Sequence, residues 1–193
     1  MPVTRDEVLA AALEVFRERG YERTTVRAIA ERAGVTISSL YAHISSKEAL
    51  FLDLAQPVLE RARSDMAALL ASDGPFREKL ERAIVRATSA FDDEHAELVI
   101  YLRDFFPVLE RADPAARREY EQHWVDLIAQ GIEEGLLRED IDPKMTAYGI
   151  LGMVNWMHHW YRPGGRYTAA QLGEQYAAMI IDGLIKRSVD SPG

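Results

Sequence analysis

The chain has no cysteine among its 193 residues, which removes disulfides, thiolate nucleophiles and cysteine-ligated zinc in one step and gives no sign of an oxidising compartment. No run approaches the roughly 20 consecutive apolar residues of a membrane-spanning helix, and charged residues stand near the start where the apolar stretch of a secretion signal would lie. A cytoplasmic protein with no membrane partner is expected. Catalytic signatures are missing too: there is no Gly-x-Ser-x-Gly elbow, no glycine-rich phosphate loop, and no Glu-x-x-His or His-Glu-x-x-His pair. His158 and His159, with His123, Glu121 and Asp126, come nearest to a metal set in a helical bundle. Adjacent helical histidines point about 100° apart, however, and cannot both reach one ion without unwinding. No metal and no cofactor are expected, and a helical-bundle metal enzyme is the remotest of the readings considered.

What is present is a substantial core and an uneven charge. A hydrophobic content of 48% over 193 residues is enough to bury one or two domains. The net charge of −8 argues against non-specific coating of nucleic acid. It is not spread evenly: residues 1 to 50 hold seven Arg and Lys against seven Asp and Glu, so the remaining 16 basic and 24 acidic residues carry the whole −8. A neutral N-terminal quarter in an acidic chain permits a nucleic-acid contact at that end.

The hydrophobic period is helical almost throughout and strand signals are nearly absent, so the fold class is all-α. Capping residues mark the starts. Thr4 with Glu7, Ser45 with Glu48, and Thr168 with Gln171 form capping boxes, while Asp113-Pro114 and Asp142-Pro143 each set a cap before a proline at the first helical position. These signals predict nine helices, near 4–19, 25–32, 36–42, 46–71, 76–92, 94–110, 114–135, 143–162 and 168–187. Pro57 falls inside the fourth, where it removes a backbone hydrogen bond and predicts a kink.

One stretch acquires a specific geometry. In "TTVRAIAERAGVTISSLYAHI" Thr25 caps a two-turn helix, Gly34 supplies the positive φ of a tight turn, and Thr36 caps a second short helix. Leu40 and Ile44, four apart, can pack on Ile29 and Val26, which turns Ile37, Ser38 and Tyr41 outward. This is a helix-turn-helix. The hydroxyl, histidine and lysine side chains around it are the residue types that hold a recognition helix in register on phosphates. Lys47 stands in the first turn of the next helix, where a cation is disfavoured unless an anion lies nearby.

The segment "GYERTTVRAIAERAGVTISSLYAHISSKEAL" resembles the N-terminal signature of the TetR family of one-component transcriptional regulators. The resemblance implies a DNA-binding domain at 1–47, with three helices, and an effector-binding and dimerisation domain at 48–193. It implies double-stranded operator DNA as partner, with Thr25, Arg27, Thr36, Ser39, Tyr41, His43 and Lys47 on the phosphate side. Ile37 and Ser38 become base readers, a role that Arg27 could share. Ser38 stands where many members have glycine, and Ile44 where many have phenylalanine.

Further on, "HAELVIYLRDF", "HWVDLIAQGIEEGLLRED" and "HHWYRPGGRYTAAQLGEQYAAMIIDGL" resemble the effector domains of a TetR subgroup that senses acyl-CoA thioesters and controls fatty-acid, aromatic-acid or sterol degradation. The tryptophan and arginine ligands of some relatives have no residue-by-residue match around Asn155 and His159. The candidate ligand residues are therefore read from the chain itself. Tyr101, Phe105, Trp124 and Trp156 are candidates for the acyl group and Arg162 for the CoA phosphates, with His159 completing the set; Arg103, Arg111, Arg117, Arg118 and Arg166 are further basic candidates. A repressor of an efflux pump sensing lipophilic drugs is the alternative, since an aromatic pocket serves either ligand. Tyr148, Gly149, Gly152 and Asn155, and Leu172, Tyr176, Met179 and Gly183, predict helix faces for a homodimer.

Overall fold

The computed structural model describes residues 3–93, 95–105 and 114–185, with the side chains of Phe105, Pro114 and Ala116 excepted. Among these residues the chain is helical with no strand, apart from one isolated antiparallel bridge between Leu137 and Ile185. They fall within two compact units, one inside Met1–Arg61 and Glu94–Pro114, the other inside Ala62–Asp93 and Ala115–Gly193.

The first unit begins with α1 (Arg5–Arg23), whose capping box is present: Glu7 N–H donates to Thr4 Oγ1 at 3.3 Å and Thr4 N–H to the Glu7 carboxylate at 2.7 Å. α2 (Val26–Ala33) and α3 (Ile37–Tyr41) are each capped by a threonine. Between them Gly34 adopts φ 68°, ψ 28°, and its N–H and that of Val35 bond back to α2 carbonyls. An L side chain there would carry the left-handed penalty that glycine avoids. α4 (Lys47–Ala71) contains Pro57. Its starting cap is Ser46, whose hydroxyl accepts from Ala49 N–H at 2.9 Å, and not Ser45 as the spacing to Glu48 predicted. Phe16, Ile29, Leu40, Leu50 and Phe51 form the fully buried centre, with Phe16 edge-on to Phe51 at 5.1 Å.

α6 (His95–Ile100) packs against α1 and passes into a π-helical turn, Tyr101–Phe105. The uninterrupted helix predicted over 94–110 is corrected accordingly up to residue 105; the rest of that span, like the Asp113 cap, lies outside the described residues.

In the second unit α5 (Phe76–Asp93) lies along α10 (Ala169–Leu184) in the most extensive helix pairing among the described residues. Gly173 makes the close approach possible. A Cβ on it would stand 2.1 Å from Thr88 Oγ1 and 2.9 Å from Val85 Cα. α7 (Pro114–Glu133) carries Trp124, Leu127 and Ile128, all fully buried. α8 (Pro143–Asn155) starts on Asp142, which accepts from Met145 N–H at 2.7 Å. The single helix predicted over 143–162 is in fact two. It breaks at Trp156 and resumes as α9 (Met157–Trp160), where His158 Nδ1 lies 2.6 Å from Asn155 O and competes with the helical ladder. Asp92 at the end of α5 accepts from the Tyr161 hydroxyl and, at 2.8 Å, from Ala169 N–H at the start of α10.

Candidate nucleic-acid interface

α2 and α3 sort their side chains cleanly. Ile29, Leu40 and Ile44 are buried, whereas Thr25, Arg27, Thr36, Ile37, Ser38, Ser39 and Tyr41 are exposed and His43 and Lys47 are half-buried. Ile37 is 43% and Tyr41 52% exposed. Large apolar surface on a five-residue helix, ringed by hydroxyls, suits a groove that supplies both methyl groups and phosphates.

The hydroxyls do two jobs at once. Thr25 Oγ1 accepts from Ala28 N–H at 3.2 Å and Thr36 Oγ1 from Ser39 N–H at 3.1 Å, which leaves each O–H proton as a donor for a phosphate oxygen. Arg27 pairs with Glu31 at 2.8 Å, with side-chain exposures of 78% and 64%, and that hydrogen bond pushes its pKa further up. Exposed pairs of this kind contribute little, so the guanidinium is easily redirected to a phosphate.

Lys47 resolves the puzzle of a cation in a first turn. Its Nζ donates to Tyr21 O at 2.9 Å and Thr24 O at 3.1 Å, and stands 4.2 Å above the Tyr21 ring. It therefore sits at the negative, C-terminal end of α1 while belonging to the start of α4. Two of its three donors are held by carbonyls.

The candidate ligand residues are distributed between the two units. Tyr101 is buried in the first, and the side chain of Phe105 lies outside the described residues. In the second, Trp124 is fully buried, and His123 Nδ1 is buried with no hydrogen-bond partner. Burial pushes the pKa of the Tyr120 hydroxyl up against the lowering effect of the neighbouring Trp124 N–H. Trp156 is 61% exposed and lies against His159 with centroids 4.0 Å apart and the rings tilted by 48°. Arg162 is exposed and donates to Tyr161 O at 2.6 Å. Of the other basic candidates, Arg117 pairs with Glu121 at 2.7 Å, and Arg103 is engaged at the end of α1. Its partner there, Asp104, is not among the candidate residues read from the sequence. Met145, Tyr148 and Met179 are exposed, and nothing lies within 4 Å of a Cβ placed on Gly149, Gly152 or Gly183. Among the described residues no group of three metal-ligating side chains occurs, and no helix is long and apolar enough to cross a membrane.

Two family descriptions match the chain. Residues 8–54 match "Bacterial regulatory proteins, tetR family", and residues 73–184 match "Tetracyclin repressor-like, C-terminal domain". The HTH-type transcriptional repressor KstR2 of Mycobacterium tuberculosis is 34% identical, covering 96% of this chain and 94% of its own. A structure described as the ketosteroid transcriptional regulator KstR2 of the same organism superposes with a TM-score of 0.86 at 33% identity, over 97% of both chains. AibR, solved with isovaleryl coenzyme A and operator DNA, shares the fold with a TM-score of 0.76 at 24% identity, over 93% of this chain and 97% of its own.

Proposed function

Since the chain belongs to the TetR family of bacterial regulatory proteins, a family of DNA-binding regulators and not of enzymes, we propose that it is a repressor released from its operator by an acyl-CoA thioester. The division of labour follows 1–47 for DNA and 48–193 for effector binding and dimerisation. The observation that carries the DNA half is the exposed side of α2 and α3, where Ile37, Ser38 and Tyr41 project among hydroxyls over the buried Ile29 and Leu40. Tyr41, His43, Lys47, Ser39, Thr25, Thr36 and Arg27 hold phosphates and set register; Ile37 and Ser38 read bases. The exposed faces of α8 and α10 pair with those of a second copy, and the two-fold axis makes the operator a near-palindrome with half-sites about 34–36 Å apart.

The effector reading is supported by the likeness to KstR2, described as a ketosteroid regulator, and by the fully buried Trp124 with the half-buried Tyr120 one helical turn away, aromatic side chains that carry polar handles. Within the second unit Trp124 and Trp156 are assigned to the acyl group, and His159 and Arg162 to the CoA end. Release requires that the thioester favour a conformation whose two heads no longer match successive grooves, since a ligand binding both states equally shifts nothing. Calorimetric titration with acyl-CoA esters, including ring-bearing ones, with the free acids and with CoA alone, followed by DNA release with the best binder, tests the assignment. Tight binding of a thioester with weak binding of its acid is the expected result. Tight binding of an uncharged lipophilic drug with no heat from any CoA ester overturns it in favour of an efflux-pump repressor.

A further inference from the structure

The C-terminal end of α1 takes part of its hydrogen-bond partners from outside the helix. Gly20 leaves the helical region at φ 77°, ψ 165°, and the π-helical turn Tyr101–Phe105 meets it there. Arg103 Nη2 donates to Phe16 O at 2.8 Å and Nη1 to Arg17 O at 3.4 Å. Asp104 Oδ2 accepts from Tyr21 N–H at 3.2 Å and is itself held by Arg103 Nε and Nη2 at 3.1 and 2.8 Å. Both side chains stand 3.7–3.8 Å from the point a Cβ on Gly20 would occupy. Consecutive residues thus grip one helix end, with the carboxylate side chain only 17% exposed. The turn that carries them is of the π type, a rare form that is frequent at functional sites.

The other side of the same tyrosine holds Lys47. Tyr21 O accepts from Lys47 Nζ, the Tyr21 ring lies under the ammonium, and that ring packs on Phe51 at 4.6 Å. One residue therefore joins Asp104, 83 positions away in sequence, to the lysine assigned to a phosphate. We propose that Arg103 and Asp104 are positioning residues for DNA binding: by fixing Tyr21 they hold Lys47 where its third donor meets a phosphate. This rests on the reading of Lys47 as a phosphate ligand. Asp104 itself bears the wrong charge to touch DNA, so its influence is exerted through Tyr21 and through Arg103, which it holds.

The test uses the full chain and a fluorescein-labelled duplex of about 30 base pairs of arbitrary sequence, enough for two half-sites, with affinity measured by anisotropy over a series of salt concentrations. Lys47→Ala is expected to weaken binding and to lower the slope of log affinity against log salt by about 1. Asp104→Ala is expected to reproduce both effects, and the double variant to be no weaker than Lys47→Ala alone, because both remove the same contact. A generally loosened fold would leave the slope unchanged. If Lys47→Ala lowers the slope while Asp104→Ala does not, or if the two losses add in full, the positioning role is overturned and the lysine's role stands. If Lys47→Ala leaves the slope untouched, both fall. Should Asp104→Ala fail to fold by circular dichroism, Arg103→Lys, which loses the paired grip on Phe16 O and Asp104, is expected to lower the slope by a smaller amount; a wild-type slope in that variant overturns the proposal.

Discussion

The DNA-binding head and the α5–α10 pair are held together by opposite means. In the head, large rings meet at Phe16, Tyr21 and Phe51, and polar side chains reach across from other elements to finish helix ends. Between α5 and α10 the decisive feature is a missing side chain, Gly173, which lets one backbone come within reach of another. A region joined by polar arms can be adjusted contact by contact; a region joined by close backbone approach tolerates almost no change at the point of contact. The difference suits a head that must make and break contacts and a core that must hold a frame.

The contrast breaks most visibly at Gly173. Gly173→Val would drive side-chain atoms into Thr88 and the Val85 backbone, and is expected to cost about 3 kcal/mol or more, read as a large fall in Tm. A variant with wild-type Tm would show that the helix pair can slide apart and that the core is no more rigid than the head.

Next in size comes Tyr161, buried on the core side of the comparison. Burial first, and then its hydrogen bond to the Asp92 carboxylate, push its pKa up to about 12. The folded state thus favours the neutral phenol. Its contribution is complete below the ordinary tyrosine value of about 10 and is lost as pH rises through that value toward about 12, where the unfolded chain sheds the proton first. Denaturant unfolding should show the wild type losing about 2–3 kcal/mol more than Tyr161→Phe across that window; parallel curves would remove Tyr161 from the alkaline transition.

In the head, Tyr41→Ala is expected to weaken binding to operator and unrelated DNA nearly alike, by about tenfold. Substitution at Ser38 should change preference among sequences, with about 1–3 kcal/mol of discrimination at a contacted base. A loss confined to one sequence on changing Tyr41 would exchange the two roles. The smallest effect is assigned to Gly34→Ala. Nothing lies within 4 Å of the added methyl, so only the left-handed backbone penalty of about 1–2 kcal/mol applies. The two glycines then separate strain of conformation from strain of packing.

The caps at Thr4, Thr25, Thr36, Asp142 and Thr168 were legible because each is a contact across three residues. Ser45 and Ser46 both precede α4, and the spacing rule could not choose between neighbours. Apolar residues continue through Ile100 and Tyr101, and through Val154 and Met157, so periodicity ran straight across the π turn and the break at Trp156. The exposed side of α2 and α3 was readable because exposure on so short a helix follows from its own sequence. Arg103 and Asp104 were not, since their partners lie more than 80 residues away and carry the contacts on backbone atoms that no side-chain pattern announces. Aromatic spacing around Trp124 and Trp156 likewise shows that a face exists without showing what stands opposite it.

Asp92 grips the chain twice, at Tyr161 and at Ala169, and so fixes both ends of the segment "RPGGRYT" to α5. Between two fixed ends, length is a weak variable: doubling a loop adds only about 0.6 kcal/mol of closure entropy. Insertions there should leave α9 and α10 in place. That makes the segment the natural spot to splice in a reporter peptide or a protease site, giving an engineer a handle on the core that leaves the sequence of α2 and α3 unchanged.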